Sequence, residues 1–279
     1  MQGVCYNEHM EIKAYAKINL TLDVLRKRPD GYHDLRGVMC AISLHDKVYI
    51  EPGDEIRFCC DIPLPENNTA VKAAKLFMQE TGKGADIRLE KHIPSEAGLG
   101  GASADAAAVL RGMNELYGNP IAEKRLYELG LMVGADVPFC LMGGCALAEG
   151  VGEILTPLPL PHLDLVIVKG SSGVSTGALF KSLRLPVGHP DTDGAIAAIQ
   201  NGDILSLAPL CENALEPPAT ALLPEIESHK GLLMQSGALS AFMTGSGAAV
   251  VGLFPNESAA QLAAQALSHL PFVCVCHSL

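Results

Sequence analysis

The chain has 279 residues, 48% of them hydrophobic and 18% charged, the balance of a globular protein with room for one large core or two modest ones. Its 20 basic and 31 acidic residues leave a formal charge of −11, which argues against general nucleic-acid binding and against attachment to an anionic membrane surface, so any anionic ligand needs a local arrangement to hold it. No apolar run approaches the ~20 residues that span a bilayer, and the first ten residues show neither a charged n-region nor an apolar h-region, so a cytoplasmic protein without membrane or nucleic-acid partners is expected.

In chain order, short β-branched segments predict strands over 11–14, 18–25, 47–51, 55–60 and 86–90, then 145–148, 163–168, 248–254 and 272–276. A helix is predicted over 69–80, after the cap candidate Asn68 and before Gly82. A second is predicted over 103–117, with Val109, Leu110, Met113, Leu116 and Tyr117 on one face and Gly118 past its end. The stretch Thr156-Pro157-Leu158-Pro159-Leu160-Pro161 cannot continue a helix or a central strand, which makes it the natural boundary between two unequal domains. The nine cysteines are scattered and odd in number, unlike a disulfide framework, so reduced thiols are expected. Cys274-Val275-Cys276-His277 supplies two thiolates without a second pair at metal-finger spacing and reads as a buried strand.

Four segments carry candidate chemistry. The run Pro94-Ser95-Glu96-Ala97-Gly98-Leu99-Gly100-Gly101-Ala102-Ser103-Ala104-Asp105 leads from a predicted strand into a predicted helix. Glycine there permits positive φ and close approach of a ligand, and the first helical turn offers unpaired N–H groups at the positive end of its dipole, which suits a polyphosphate. The run is neither a P-loop nor a dinucleotide fingerprint, and such a turn also serves plain packing. Lys13-Ala14-Tyr15-Ala16-Lys17-Ile18-Asn19-Leu20 precedes Pro29-Asp30-Gly31-Tyr32-His33, where Asp-Gly reads as a hairpin turn and Lys17 as a solvated strand lysine unless context says otherwise. In Gly134-Ala135-Asp136-Val137-Pro138-Phe139 a carboxylate sits among apolar neighbours, as a partner of some charge or as a helix N-cap with Pro138 in the first turn. Met243-Thr244-Gly245-Ser246-Gly247 is a glycine-rich turn ahead of a strand.

In order and wording these segments together resemble the GHMP kinase superfamily, and within it Ala16 to Leu20, Asp30 to His33, Gly98 to Gly101 and Gly134 to Phe139 resemble the diphosphocytidyl-methylerythritol kinases over nearly the whole chain. The resemblance implies an α+β two-domain fold, with an N-terminal domain like ribosomal S5 domain 2 over 1–157, a C-terminal domain over 158–279 and a catalytic cleft between them. It implies ATP and Mg2+ as cofactors and a small cytidine-bearing alcohol as substrate. It matches Lys17 and Asp136 to the catalytic pair, and Pro94, Ala97, Gly98, Leu99, Gly100, Gly101, Ala102, Ser103 and Ala104 to the ATP phosphate loop. Asn19, Thr176 and Phe180 fall in substrate regions, and Tyr32 and His33 match the cytosine corner. Two positions depart from the family's usual Gly-Leu-Gly-Gly-Gly-Ser-Ser: Ala102 replaces a glycine and Ala104 a serine, leaving Ser103 as the loop's hydroxyl and the metal ligands unassigned. Glu96 adds a negative charge beside the loop.

Overall fold

The computed structural model describes residues 10–159, 162–185 and 187–279. Its strands are β1 (Met10–Asn19), β2 (Thr21–Lys27), β3 (His33–Gly53), β4 (Ile56–Cys60), β5 (Gly84–Glu90), β6 (Cys145–Gly150), β7 (Ile154–Leu158), β8 (Asp164–Lys169), β9 (Glu212–Asn213), β10 (Ser240–Met243), β11 (Val250–Phe254) and β12 (Phe272–His277). Its helices are α1 (Thr69–Thr81), α2 (Gly101–Leu116), α3 (Glu123–Val133), α4 (Val137–Met142), α5 (Thr176–Ser182), α6 (Thr192–Gln200), α7 (Ile204–Leu207), α8 (Glu216–Leu222), α9 (Glu225–Gln235) and α10 (Glu257–Ala266). Among the described residues no helix is long and apolar enough to cross a membrane. Two compact units emerge: Met1–Ala14, His45–His92 and Ala102–Leu141 form one, and Tyr15–Leu44, Ile93–Gly101 and Met142–Leu279 the other.

In the first unit, β5 pairs antiparallel with the second half of β3 (Ile50 opposite Ile87) and parallel with β4 (Phe58 opposite Ile87). The parallel pair requires a crossover, and α1 supplies it. That helix forms where its caps place it: the Asn68 side chain accepts from the Val71 N–H at 3.1 Å, and Gly82 ends it at φ 71. Phe77 of α1 is buried and stacks on Tyr117 with ring centroids 6.3 Å apart. Helix α2 is alanine-rich and buried on almost every side from Ala104 to Leu110. Small side chains let it lie close on the sheet, and at Gly112 a methyl group would overlap Ile12.

The second unit holds the antiparallel pairs β2 with β3, β3 with β6 and β6 with β7, and a separate antiparallel sheet of order β10-β11-β8-β12. Val166, Val168, Leu179, Leu215, Ile226, Leu233 and Phe254 belong to its core. The eight cysteines among the described residues are free, Cys274 and Cys276 lie on β12, and no cluster of three or more His, Cys, Asp or Glu side chains there could hold a metal.

Several expectations need correction. The break expected after residue 14 is absent, because β1 runs unbroken to Asn19 and the chain turns at Leu20. β3 extends far beyond 47–51 because its polar residues Asp34, Arg36, His45 and Asp46 find partners within the fold. α2 begins two residues before Ser103. The proline-rich stretch begins inside a strand: Pro157 lies opposite Ala146 in β7, which among the described residues pairs with β6 alone and is thus an edge strand, where proline is tolerated, and not a central one. The last two residues of that stretch, 160 and 161, lie outside the described residues.

Candidate functional site

At the end of β1, Lys17 and Asn19 point to one face because strand side chains alternate, and the Lys17 ammonium donates to Asn19 Oδ1 at 2.8 Å. Lys17 is only 5% exposed, which corrects the reading of a solvated strand lysine. A buried ammonium needs acceptors arranged for it. The backbone N–H of Lys17 donates to Leu99 O at 3.0 Å, and the lysine stem crosses Gly100, where a Cβ would stand 2.9 Å from its Cγ.

The glycine-rich run connects β5 to α2. Gly98 (φ 73) and Gly100 (φ 69) occupy the left-handed region, as does Glu96 (φ 49), while Ala97 and Leu99 are buried anchors. Ala102 is already helical, so the alanine in place of glycine meets no φ penalty there. Ala104 faces the core and Ser103 is half-buried, so a hydroxyl at 104 would have turned inward. α2 has 16 residues and no acidic side chain in its first turn, which leaves its positive end uncancelled. Glu96 leans against Gly173, where an added methyl would strike its side chain.

A third segment underlies this run. Ala248 N donates to Glu96 O at 3.0 Å and Ala249 N to Ala97 O at 3.1 Å, so the chain after Gly247 is zipped to the glycine run by backbone bonds. A Cβ on Gly98 would overlap the Thr244 carbonyl oxygen. Thr244 is fully buried, and its Oγ1 accepts from Asn19 N at 2.9 Å. Ser246 and Thr176, the first residue of α5, share a hydroxyl–hydroxyl bond of 2.6 Å. Lys17, Asn19, residues 94–100, Thr176 and the turn at 243–247 thus converge within one unit, and the last of these was read from sequence only as a tight turn.

The same unit brings His33 and Phe180 together, with ring centroids 5.1 Å apart. His33 is buried, and burial, aided by Lys27, pulls its pKa down, so the ring is neutral at pH 7 with one donor and one acceptor nitrogen. Tyr32 is not part of that ring pair: it is 63% exposed, on a turn fixed by its N–H to Asp30 Oδ1 at 3.1 Å and by Gly31 at φ 90.

Asp136 and Ser103 belong to the other unit. Asp136 stands at the residue before α4, half-buried, with its carbonyl accepting from Cys140 N at 3.1 Å and Pro138 in the first turn. At the far end of α4, Arg111 of α2 donates to Cys140 O (3.0 Å) and Leu141 O (2.8 Å), satisfying carbonyls that a short helix leaves open. Ser103 Oγ lies 3.9 Å from where a Cβ on Gly134 would stand, so the turn leading to Asp136 abuts the start of α2.

Sequence reasoning missed a buried ion cluster in this unit. Lys91 donates to Asp46 and, at 2.6 Å, to Asp105 Oδ2, and Asp46 also accepts from His92 N at 2.5 Å. One ammonium serves two carboxylates, and Asp105 Oδ1 is buried without a hydrogen-bond partner. Burial pushes the Asp105 carboxyl up to about 7, with Asp46 adding to the effect and Lys91 opposing it. Residues 46, 91 and 105 are far apart in sequence, and no local pattern signals their meeting.

Comparison with known proteins gives the family. The model of the GHMP kinases N terminal domain matches residues 68–144, and that of the GHMP kinases C terminal matches 195–271. The 4-diphosphocytidyl-2-C-methyl-D-erythritol kinase of Lachnoclostridium phytofermentans is 45% identical over 264 residues, 91% of each chain, and that of Acetivibrio thermocellus is 44% identical over 276 residues, 96% of this chain and 98% of the relative. A crystal structure of 4-(cytidine 5'-diphospho)-2C-methyl-D-erythritol kinase superposes with TM-score 0.85 at 36% identity, covering 96% of this chain and 99% of that one. Homoserine kinase from Cytophaga hutchinsonii shares the fold at TM-score 0.79 and 22% identity, covering 100% of this chain and 97% of its own.

Proposed function

The chain belongs to the GHMP kinases and, within them, to the 4-diphosphocytidyl-2-C-methyl-D-erythritol kinase family, and from that premise we propose that it transfers the γ-phosphoryl group of ATP to the 2-hydroxyl of 4-diphosphocytidyl-2-C-methyl-D-erythritol, in non-mevalonate isoprenoid precursor synthesis. The observation that carries the kinase chemistry is the joining of the Lys17–Asn19 pair to the positive-φ glycines 98 and 100. Backbone N–H groups and an uncancelled helix dipole suit the phosphates of ATP, for which Pro94, Ala97 to Gly101, Ala102, Ser103 and Ala104 are the assigned loop.

In the proposed reaction the substrate oxygen attacks the γ-phosphorus, the bond from that phosphorus to the β–γ bridging oxygen breaks, and ADP leaves. The hydroxyl proton passes to the Asp136 carboxylate and from there to solvent. Lys17 supplies positive charge to the groups that become anionic, and Asn19 holds its ammonium in place. Mg2+ is the proposed metal, and its chemistry is neutralisation of phosphate charge. The half-buried Ser103 hydroxyl, in the first turn of α2, is the loop group that would help to hold it.

Substrate contacts are assigned to Asn19, Tyr32, His33, Thr176 and Phe180. The His33–Phe180 pair supports recognition of a base, because a ring face can stack on it and a neutral imidazole can bond to its edge. We assign 1–157 to the N-terminal ATP-binding domain and 158–279 to the C-terminal domain, and place the enzyme in the cytoplasm without nucleic-acid or membrane partners, in keeping with its acidic balance. ADP release coupled to a reporter, with 4-diphosphocytidyl-2-C-methyl-D-erythritol, homoserine and mevalonate as acceptors, tests the reading. Turnover confined to the cytidine-bearing alcohol is expected, and equal turnover of homoserine or mevalonate would overturn it.

A further inference from the structure

Asn213 is buried on β9, and its side chain is committed on three sides. Nδ2 donates to the carbonyls of Met243 (2.9 Å) and Gly245 (2.8 Å), and Oδ1 accepts from Leu215 N (2.9 Å). The network settles the amide's orientation, since the reverse would set an oxygen against two carbonyl oxygens. Aspartate has the same shape and can still accept from Leu215 N, but it cannot donate to the two carbonyls, because it lacks the N–H groups.

The two carbonyls belong to the turn that underlies the glycine run. β9 is itself anchored, pairing parallel to β2 through Thr21–Glu212 and Leu22–Asn213, with Ala214 N donating to Leu22 O at 2.8 Å. Glu216, paired with Lys230, accepts from Met243 N at 2.8 Å, and Thr244 accepts from Asn19 N. The turn is therefore gripped by Asn213, Glu216 and the backbone of Asn19. What it grips in return is the backbone of Glu96 and Ala97, through Ala248 and Ala249, and it meets Gly98 at the Thr244 carbonyl.

We propose that Asn213 is a positioning residue for the nucleotide: it sets the turn at 243–247, and through it the left-handed conformation of the glycine run that meets the phosphates of ATP. The inference rests on the reading of residues 94–104 as the phosphate loop. It assigns a function to a turn that the sequence pattern marks only as glycine-rich, and to a two-residue strand that no sequence pattern singles out.

A merely structural asparagine, when replaced, would lower stability and disturb both substrates alike. A positioning residue for the nucleotide separates them. The test is Asn213→Asp, with ATP affinity measured by calorimetry at least 20 °C below its melting temperature and KM measured for both substrates. Expected is a rise in the Kd and KM of ATP of about tenfold or more, with a clearly smaller rise in KM for the alcohol, about threefold at most, because the turn also bonds Asn19 and Thr176. An unchanged ATP Kd, or equal shifts in both KM values, would overturn the proposal. Should Asn213→Asp fail to fold, Asn213→Ala removes the same bonds to the turn without setting a charge against its two carbonyls, and the same criteria apply to it. Gly100→Val run in parallel separates the two failures. If it weakens ATP and the turn variants do not, the proposal for Asn213 fails alone; if it leaves ATP affinity unchanged, the phosphate-loop reading fails and the proposal with it.

Discussion

Gly100→Ala isolates what the glycine run does for Lys17. The residue sits at φ 69, so any side chain carries the left-handed penalty of ~1–2 kcal/mol. The new methyl would also stand 2.9 Å from Lys17 Cγ and 3.1 Å from Cε, closer than side chains pack, so the lysine stem must move away. Its ammonium then leaves the 2.8 Å bond to Asn19 Oδ1. A hydrogen bond to a charged group is worth ~1.5–3 kcal/mol, which in a transition state is about 10- to 100-fold in rate. Gly118 provides the control: its φ of 76 imposes the same backbone penalty, but a methyl there meets nothing within 4 Å. Urea denaturation should therefore show Gly118→Ala destabilised by ~1–2 kcal/mol and Gly100→Ala by that amount plus up to the ~1.5–3 kcal/mol of the lost bond, while steady-state ADP release falls about 10- to 100-fold for Gly100→Ala and stays near the parent rate for Gly118→Ala. Equal turnover of the two variants would refute the claim that the glycine run positions Lys17.

Asp136→Asn should cut turnover by about 100-fold or more with ATP Kd by calorimetry unchanged, since the amide cannot accept the proton. Phe180→Ala should raise KM for the cytidine-bearing alcohol several-fold and leave KM for ATP alone, as loss of a stacking face worth ~1–3 kcal/mol predicts; Tyr32→Ala, with its ring mostly in solvent, should do less. The Asp105 carboxyl is pushed up to about 7 in the folded state from an ordinary 3.8, so the folded chain keeps a proton that the unfolded chain releases. Its contribution to stability is present below about pH 4 and is lost as pH rises to about 7, at no more than ~1.4 kcal/mol per pH unit. Asp105→Asn mimics the protonated form and should remove that slope from unfolding free energies measured between pH 5 and 8; an unaltered slope would show that Asp105 is ionised throughout.

What could be read from the sequence was local. Asn68 and Gly82 bracket α1 because caps act within one turn, and the glycine run was visible because only glycine takes φ near 70 at little cost. Lys17 was legible only through resemblance: strand alternation alone puts a lysine in water, and what buries it is Leu99, Gly100 and Asn19, two of them far along the chain. The same holds for Lys91 between Asp46 and Asp105, and for Asn213 beneath the turn at 243–245, whose partners are chosen by strand order and not by spacing. The length of β3 escaped notice because its polar residues interrupt the apolar alternation while pairing inside the fold. Alanine at 102 is accommodated for a physical reason: the helix has already begun at Gly101.

The most direct test of the proposed activity is a comparison of two acceptors in the ADP-release assay: 4-diphosphocytidyl-2-C-methyl-D-erythritol and methylerythritol phosphate, which lacks the cytidyl group. If His33 and Phe180 read the base as proposed, kcat/KM for the full substrate should exceed that for the truncated one by the ~10-fold that a single stacking contact confers. Equal kcat/KM for the two would contradict the cytosine assignment and point to a different alcohol as the natural acceptor.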